Sequence, residues 1–237
     1  MTRTFLLRLV CDFIAIGLLV VGLAYYWLGN LAHELAGTGM FLLIIVHNLF
    51  NRRWYKTLAP GRPRAGGLIN RATIVLLAAA MLVLLLTSLM ISRSMFTFLP
   101  FSGGFSTRQI HILVAWWALV IVSLHLGMRW AMLMNLARHL CQIHRARALR
   151  TALLRGITAV IAIQGIRSSF DLGLGTKLTA QLSIDFWDFN QSTIGFFAHL
   201  LAIIGLYMAL GHYVTRWSHS RNRPSASRWG AAIRDVP

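Results

Sequence analysis

The chain has 237 residues, of which 57% are hydrophobic and only 12% are charged, and its formal charge at pH 7 is +17. This composition, with a mean hydropathy of +0.65, excludes an ordinary soluble domain and predicts an all-α membrane protein. The basic residues lie between apolar runs, so the charge reports membrane topology and no nucleic-acid partner is expected. Two cysteines, Cys11 and Cys141, provide no disulfide framework.

Six apolar runs have about the length that crosses a lipid bilayer. They cover residues 5–28, 31–50, 72–91, 109–133, 152–166 and 192–215, with a tight turn predicted at Gly29 and Asn30. The first run is too long for a signal peptide and is expected to be retained. The fifth is short and contains Arg155, whose side chain must reach the interface. Residues 1–216 are therefore predicted to form one membrane domain, and residues 217–237 a basic tail.

The distribution of basic residues predicts the orientation in the membrane. Eighteen of the 23 lysines and arginines lie in the N-terminus, the loop over 51–71, the connector over 138–155 and the C-terminal end from Arg216 onward. With six crossings these four segments share one side of the bilayer, which the positive-inside rule identifies as the cytoplasm. Both termini are thus expected to be cytoplasmic.

Two of the predicted spans each carry a pair of histidines fourteen residues apart, His33 with His47 and His111 with His125. Fourteen helical residues return a side chain to within about 40° of its starting direction and roughly 21 Å further along the axis. Each helix thus presents two imidazoles on one face. Because both spans are expected to run inward, His33 lies level with His111 (the outer pair) and His47 with His125 (the inner pair).

Matched pairs of imidazoles on two facing helices are typical of bis-histidine haem ligation. No Cys-x-x-Cys-His motif occurs, so the haems would be b-type, and two are expected. Spans one to four would form the haem-binding four-helix bundle, with two additional helices beside it. Histidines at headgroup level are the alternative explanation for any one of the four. With both axial positions filled, no site remains for a substrate, so electron transfer is expected rather than stand-alone enzymatic activity.

Other residues support the predicted haem sites. Gly37 and Ala115 follow His33 and His111 by one turn, where a macrocycle lying against a helix requires small side chains. Arg108 and Arg129 lie near the levels of the outer and inner pairs and are candidates to bind haem propionates, although membrane topology alone would also account for them.

The roles of several further histidine and acidic residues remain open at this stage. His199 and His212 are thirteen residues apart and point about 140° away from each other on a straight helix, so packing, hydrogen bonding or a quinone site is favoured over a second ligand pair. Asp12 lies within the first span, where it either pairs with Arg8 or exchanges protons with a quinone. His139, Cys141 and His144 form a juxtamembrane group that we interpret as solvated.

Most of the chain resembles the flavinylation-associated membrane cytochromes, long catalogued as a domain of unknown function with paired histidines. The resemblance lies in the segments HELAGTGMFLLIIVHNLFNRRW, TSLMISRSMFTFLPF and FSTRQIHILVAWWALVIVSLHLGMRW, and more loosely in GIRSSF and FWDFNQSTIGFFAHLLAIIGLYMALGHY. It implies b-type haem in a bacterial inner membrane and an extracytoplasmic partner that carries covalent flavin. The family's ligands correspond to His33, His47, His111 and His125.

The sequence therefore predicts a membrane cytochrome that carries electrons between the quinone pool or a cytoplasmic donor and an extracytoplasmic flavoprotein. One alternative is a quinone-reactive oxidoreductase subunit with its own quinone site. Another is a haemless metal-binding transporter or assembly factor, which would be colourless.

Overall fold

A computed structural model of the protein describes residues 3–52, 65–142, 148–181 and 187–221. These residues form eight helices and no strand, which confirms the predicted all-α class. In chain order the helices are α1 Arg3–Leu23, α2 Tyr25–Phe50, α3 Ala65–Ile91, α4 Phe105–Met128, α5 Trp130–Leu140, α6 Ala148–Asp171, α7 Leu174–Leu178 and α8 Phe189–Arg221.

Six of these helices, namely α1, α2, α3, α4, α6 and α8, are long and apolar enough to cross a membrane. The outer surfaces of these helices carry large aliphatic side chains that are more than half exposed, such as Leu82, Val160 and Ile163. Such side chains would be a liability in water but match the hydrocarbon of a bilayer. The protein is thus a multi-pass membrane protein with six spans, as the sequence predicts.

The ends of several helices differ from the predicted spans. The first span was predicted to reach residue 28, but α1 ends at Leu23 and α2 begins at Tyr25. Gly29 lies within α2 at φ +77° and ψ −174°, a conformation that only glycine adopts readily. The predicted break at Gly29 is therefore present, and a helical turn precedes it.

Two later boundaries also require correction. The fifth span was predicted over 152–166, whereas α6 covers 24 residues because its polar side chains do not interrupt the backbone hydrogen bonds of the helix. The fourth span was predicted to reach residue 133, but α4 ends at Met128 and Arg129 leads into the separate α5. The tail beyond Arg221 and most of the loop over 51–71 lie outside the described residues.

The spans pack as a chain of pairs: α1 on α2, α3 on α4, α4 on α8, and α6 on α8. The main apolar core lies where α4 meets α8 and includes the fully buried Leu119, Leu200 and Ile203. At this crossing the backbones approach closely, since a Cβ on Gly127 would clash with the carbonyl of Met208. Between α2 and α4, by contrast, the described residues make few or no close backbone contacts.

Candidate functional site

The outer pair of histidines comes together in the gap between α2 and α4. The ring centroids of His33 and His111 lie 5.9 Å apart, and their planes are inclined at 70°. Two imidazoles that bind one metal from opposite sides have centroids roughly 6 Å apart, because each metal–nitrogen bond is about 2 Å long and each ring centre lies about 1 Å beyond its nitrogen. The predicted level matching of these two residues is therefore confirmed, at a spacing that suits a shared iron.

Hydrogen bonds fix the tautomers of the outer pair. Nδ1 of His33 lies 2.9 Å from the carbonyl oxygen of Gly22, which can only accept, so this nitrogen must donate. Nδ1 of His111 lies 2.9 Å from the hydroxyl of Thr87, which itself donates to the carbonyl of Val83 at 2.7 Å. That hydroxyl is thereby left to accept from His111. In both imidazoles Nε2 carries the lone pair, as a metal ligand requires.

The outer pair opens onto a cavity of about 550 Å³, within the size range of cofactor pockets. Gly37 and Ala115, predicted to leave room for a macrocycle, both line it. A Cβ built on Gly37 would have no neighbouring atom within 4 Å, so the space beside this helix turn is open. The walls are mainly apolar, as expected of a haem pocket.

Charged residues gather at the rim of this cavity. Arg108, a predicted propionate partner, lines it, together with Arg93 and Lys177. The ammonium of Lys177 lies 4.6 Å from the ring centroid of Trp116 and donates to the carbonyl of Leu172 at 2.6 Å. Three cations thus line the cavity and are suited to pair with the acidic groups of a haem.

Sequence reasoning missed Glu34, the only glutamate of the chain. Its carboxylate accepts backbone N–H bonds from Arg93, Ser94 and Met95 at 2.7–3.2 Å, and side-chain bonds from Asn30 and Ser92 at 2.8 Å each. It therefore fixes the loop that follows α3 against α2, beside the cavity. Its place next to His33 in the HELAG segment is the one signal that could have identified it.

The inner pair has a different environment and does not line this cavity. Nδ1 of His47 lies 2.5 Å from a carboxylate oxygen of Asp12. The amide nitrogen of Asn51 lies 3.3 Å from Nε2 of His47, so Nε2 accepts a long and weak bond while Nδ1 donates to the carboxylate. His47 thus has the same tautomer as the outer histidines, with a charged partner in place of a neutral one.

His125 completes the inner group. It interacts electrostatically with His47, with Asp12 and with Arg129, the predicted inner propionate partner at the C-terminal cap of α4. Its Nδ1 is buried and has no hydrogen-bond partner among the described residues. Because a buried polar atom without a partner is costly, this nitrogen indicates that a further group belongs at the inner site.

The expectation that Asp12 pairs with Arg8 is wrong. Asp12 instead bonds to His47, and the guanidinium of Arg8 lies over the ring of Phe50, 5.1 Å from its centroid. Helix geometry alone favours neighbours one turn apart, but the packing of α1 on α2 brings His47 within reach of the carboxylate.

His199 and His212 both lie on α8. Nδ1 of His199 is 2.8 Å from the hydroxyl of the fully buried Ser168 and 3.7 Å from Asp171, and Trp187 contacts its ring edge-on. This is a packing and hydrogen-bonding role, one of those the sequence left open. The ring of His212 contacts that of Tyr213.

No group of three or more histidine, cysteine or acidic side chains that could hold a metal ion occurs in the described parts of the chain. His144, one member of the juxtamembrane group, lies outside them. Comparisons of the sequence and structure with protein-family models, curated proteins and solved structures find no match.

Proposed function

We propose that this protein is a b-type cytochrome of the membrane that holds two haems, each between one histidine of α2 and one of α4. The observation that carries the proposal is the outer pair: the ring centroids of His33 and His111 lie 5.9 Å apart beside an open cavity, and Nδ1 of each imidazole is hydrogen-bonded. A hydrogen bond from the ring nitrogen that does not bind the metal fixes the orientation of a metal-binding imidazole. Haem iron held by two histidines accepts and releases single electrons and has no coordination position left for a substrate.

The chain's own residues supply orientation and charge. Thr87 and the carbonyl of Gly22 hold the outer imidazoles, and Asp12 holds His47 at the inner site. Arg108 at the outer cavity and Arg129 beside His125 are suited to pair with haem propionates. Because the pairs are separated by roughly 21 Å of helix, the two sites together provide a path through most of the bilayer.

The partners follow from the resemblance and the charge distribution. With both termini in the cytoplasm of a bacterial inner membrane, the outer pair faces the extracytoplasmic side, where a protein with covalent flavin is the expected partner. The quinone pool or a cytoplasmic donor would serve the inner pair.

The test is a dithionite-reduced minus oxidised absorption spectrum of the purified protein, with haem quantified per chain as the pyridine haemochrome. We expect about two b-type haems with low-spin spectra. A Gly37→Leu variant should lose the outer haem, because its side chain would occupy the cavity while both imidazoles remain.

Gly17→Leu is the matched control, since a Cβ on Gly17 also has no neighbour within 4 Å but lies outside the cavity. It should retain both haems. A colourless wild-type protein, purified after expression with ample haem, would refute the cytochrome and favour the metal-binding transporter.

A further inference from the structure

The two histidine pairs differ in the groups that accept a bond from their imidazoles. The outer imidazoles donate to neutral oxygens, the carbonyl of Gly22 and the hydroxyl of Thr87, each at 2.9 Å. At the inner pair His47 donates to the carboxylate of Asp12 at 2.5 Å. The chain thus places one negative charge directly behind one predicted ligand and none behind its outer counterparts.

A carboxylate that accepts the Nδ1 proton of an imidazole makes the opposite nitrogen a stronger electron donor. A stronger donor stabilises the ferric over the ferrous state, because the oxidised iron carries one more positive charge, and the reduction potential falls. A carbonyl or hydroxyl oxygen has only a partial charge, so its effect on the outer site is smaller. Hydrogen bonding of this kind is one of the means by which proteins set haem potentials.

The other charged groups near the two sites do not cancel this difference. Arg129 interacts with His125 and opposes Asp12, but it is exposed to solvent at the end of α4. At the outer site Arg93, Arg108 and Lys177 line the cavity, and the carboxylate of Glu34, which interacts electrostatically with His33, opposes them. These opposite charges partly offset one another, so the direct bond from His47 to the carboxylate of Asp12 is the difference that distinguishes the two sites.

We infer that Asp12 is a positioning residue that gives the inner haem a lower reduction potential than the outer one. This inference rests on the proposed function and adds a direction to it. An electron then passes favourably from the iron at the His47 end, which is oxidised, to the iron at the His33 end, which is reduced. The preferred flow is outward, toward the predicted flavin-carrying acceptor.

The experiment is redox potentiometry of the purified protein with the Asp12→Asn substitution, which keeps an oxygen that accepts the Nδ1 bond but removes the charge. The measurement is made in a His111→Ala background, where only the inner haem is expected. At a fixed ambient potential, Asp12→Asn should change the ratio of oxidised to reduced haem about tenfold in favour of the reduced form. This equals about 59 mV for a one-electron couple. Because Asp12 is 34% exposed, screening by water keeps the expected shift near this size.

Three companion variants make the result specific. Asp12→Asn in a His125→Ala background should leave the outer haem's potential unchanged. Asp171→Asn removes a carboxylate 3.7 Å from His199, a histidine outside both pairs, and should change neither potential. Asp12→Glu restores the charge and should reverse most of the shift.

The outcomes separate the inference from the proposal on which it rests. A wild-type protein without haem refutes the proposed function. If the protein binds two haems and Asp12→Asn changes both reduction potentials equally, or neither of them, the inference is wrong but the protein is still a cytochrome. A wild-type inner potential above the outer one overturns the outward direction.

Discussion

Substitution of His111 by alanine is expected to remove the outer haem and leave the inner one, so that haem content falls from about two to about one per chain. His111 faces His33 at 5.9 Å, and no other histidine of the described residues makes a ring contact with either of them. Loss of one axial ligand leaves an iron held by a single imidazole in a cavity open to exchange. Pyridine haemochrome quantitation measures the stoichiometry, and the difference spectrum shows whether the remaining haem stays low-spin.

His199→Ala is the matched control for this prediction. It removes an imidazole that bonds to Ser168 and contacts Trp187, so it should lose packing but retain both haems. Unchanged haem content in His111→Ala would refute the assignment of the outer pair. Loss of one haem in the control instead would move the outer ligand to α8.

The sequence predicts those features of the site that depend on helical periodicity. The equal spacings bring His33 and His111 to one level, and the same periodicity places Gly37 and Ala115 on the wall of the cavity. These predictions succeed because residues one turn, or fourteen positions, apart on a helix keep a fixed relation whatever surrounds them.

Helical periodicity does not predict contacts between different helices. Thr87 lies 24 residues from His111, and Glu34 lies about 60 residues from the loop that it holds, so neither contact leaves a periodic signal. The same limit explains the wrong partner for Asp12, where helix spacing pointed to Arg8 and packing selected His47. Hydropathy likewise shortened the fifth span, because Arg150 and Arg167 lower the average near its two ends without ending α6.

The crossing of α4 and α8 provides the second large effect. Gly127→Ala is expected to destabilise the protein by about 2–3 kcal/mol, because the added methyl group would collide with the backbone of Met208, which cannot rotate away as a side chain could. The reciprocal contact has the same form, since a Cβ on Gly211 would meet the carbonyl of Leu124. Thermal unfolding in detergent, followed by circular dichroism, should show a midpoint lower by roughly 4–12 °C.

Gly17→Ala on α1 tests whether close packing or helix propensity is responsible. Alanine is a better helix former than glycine by about 1 kcal/mol, and a Cβ on Gly17 has open space, so this variant should be neutral or slightly stabilising. A Gly127→Ala protein with the same unfolding midpoint as the wild type would show that α4 and α8 can move apart at this contact without loss of stability. Since α4 carries both His111 and His125 and packs on α8, the destabilised variant should also release haem at a lower temperature. The retention of haem and the stability of the protein would then both depend on the contact between α4 and α8.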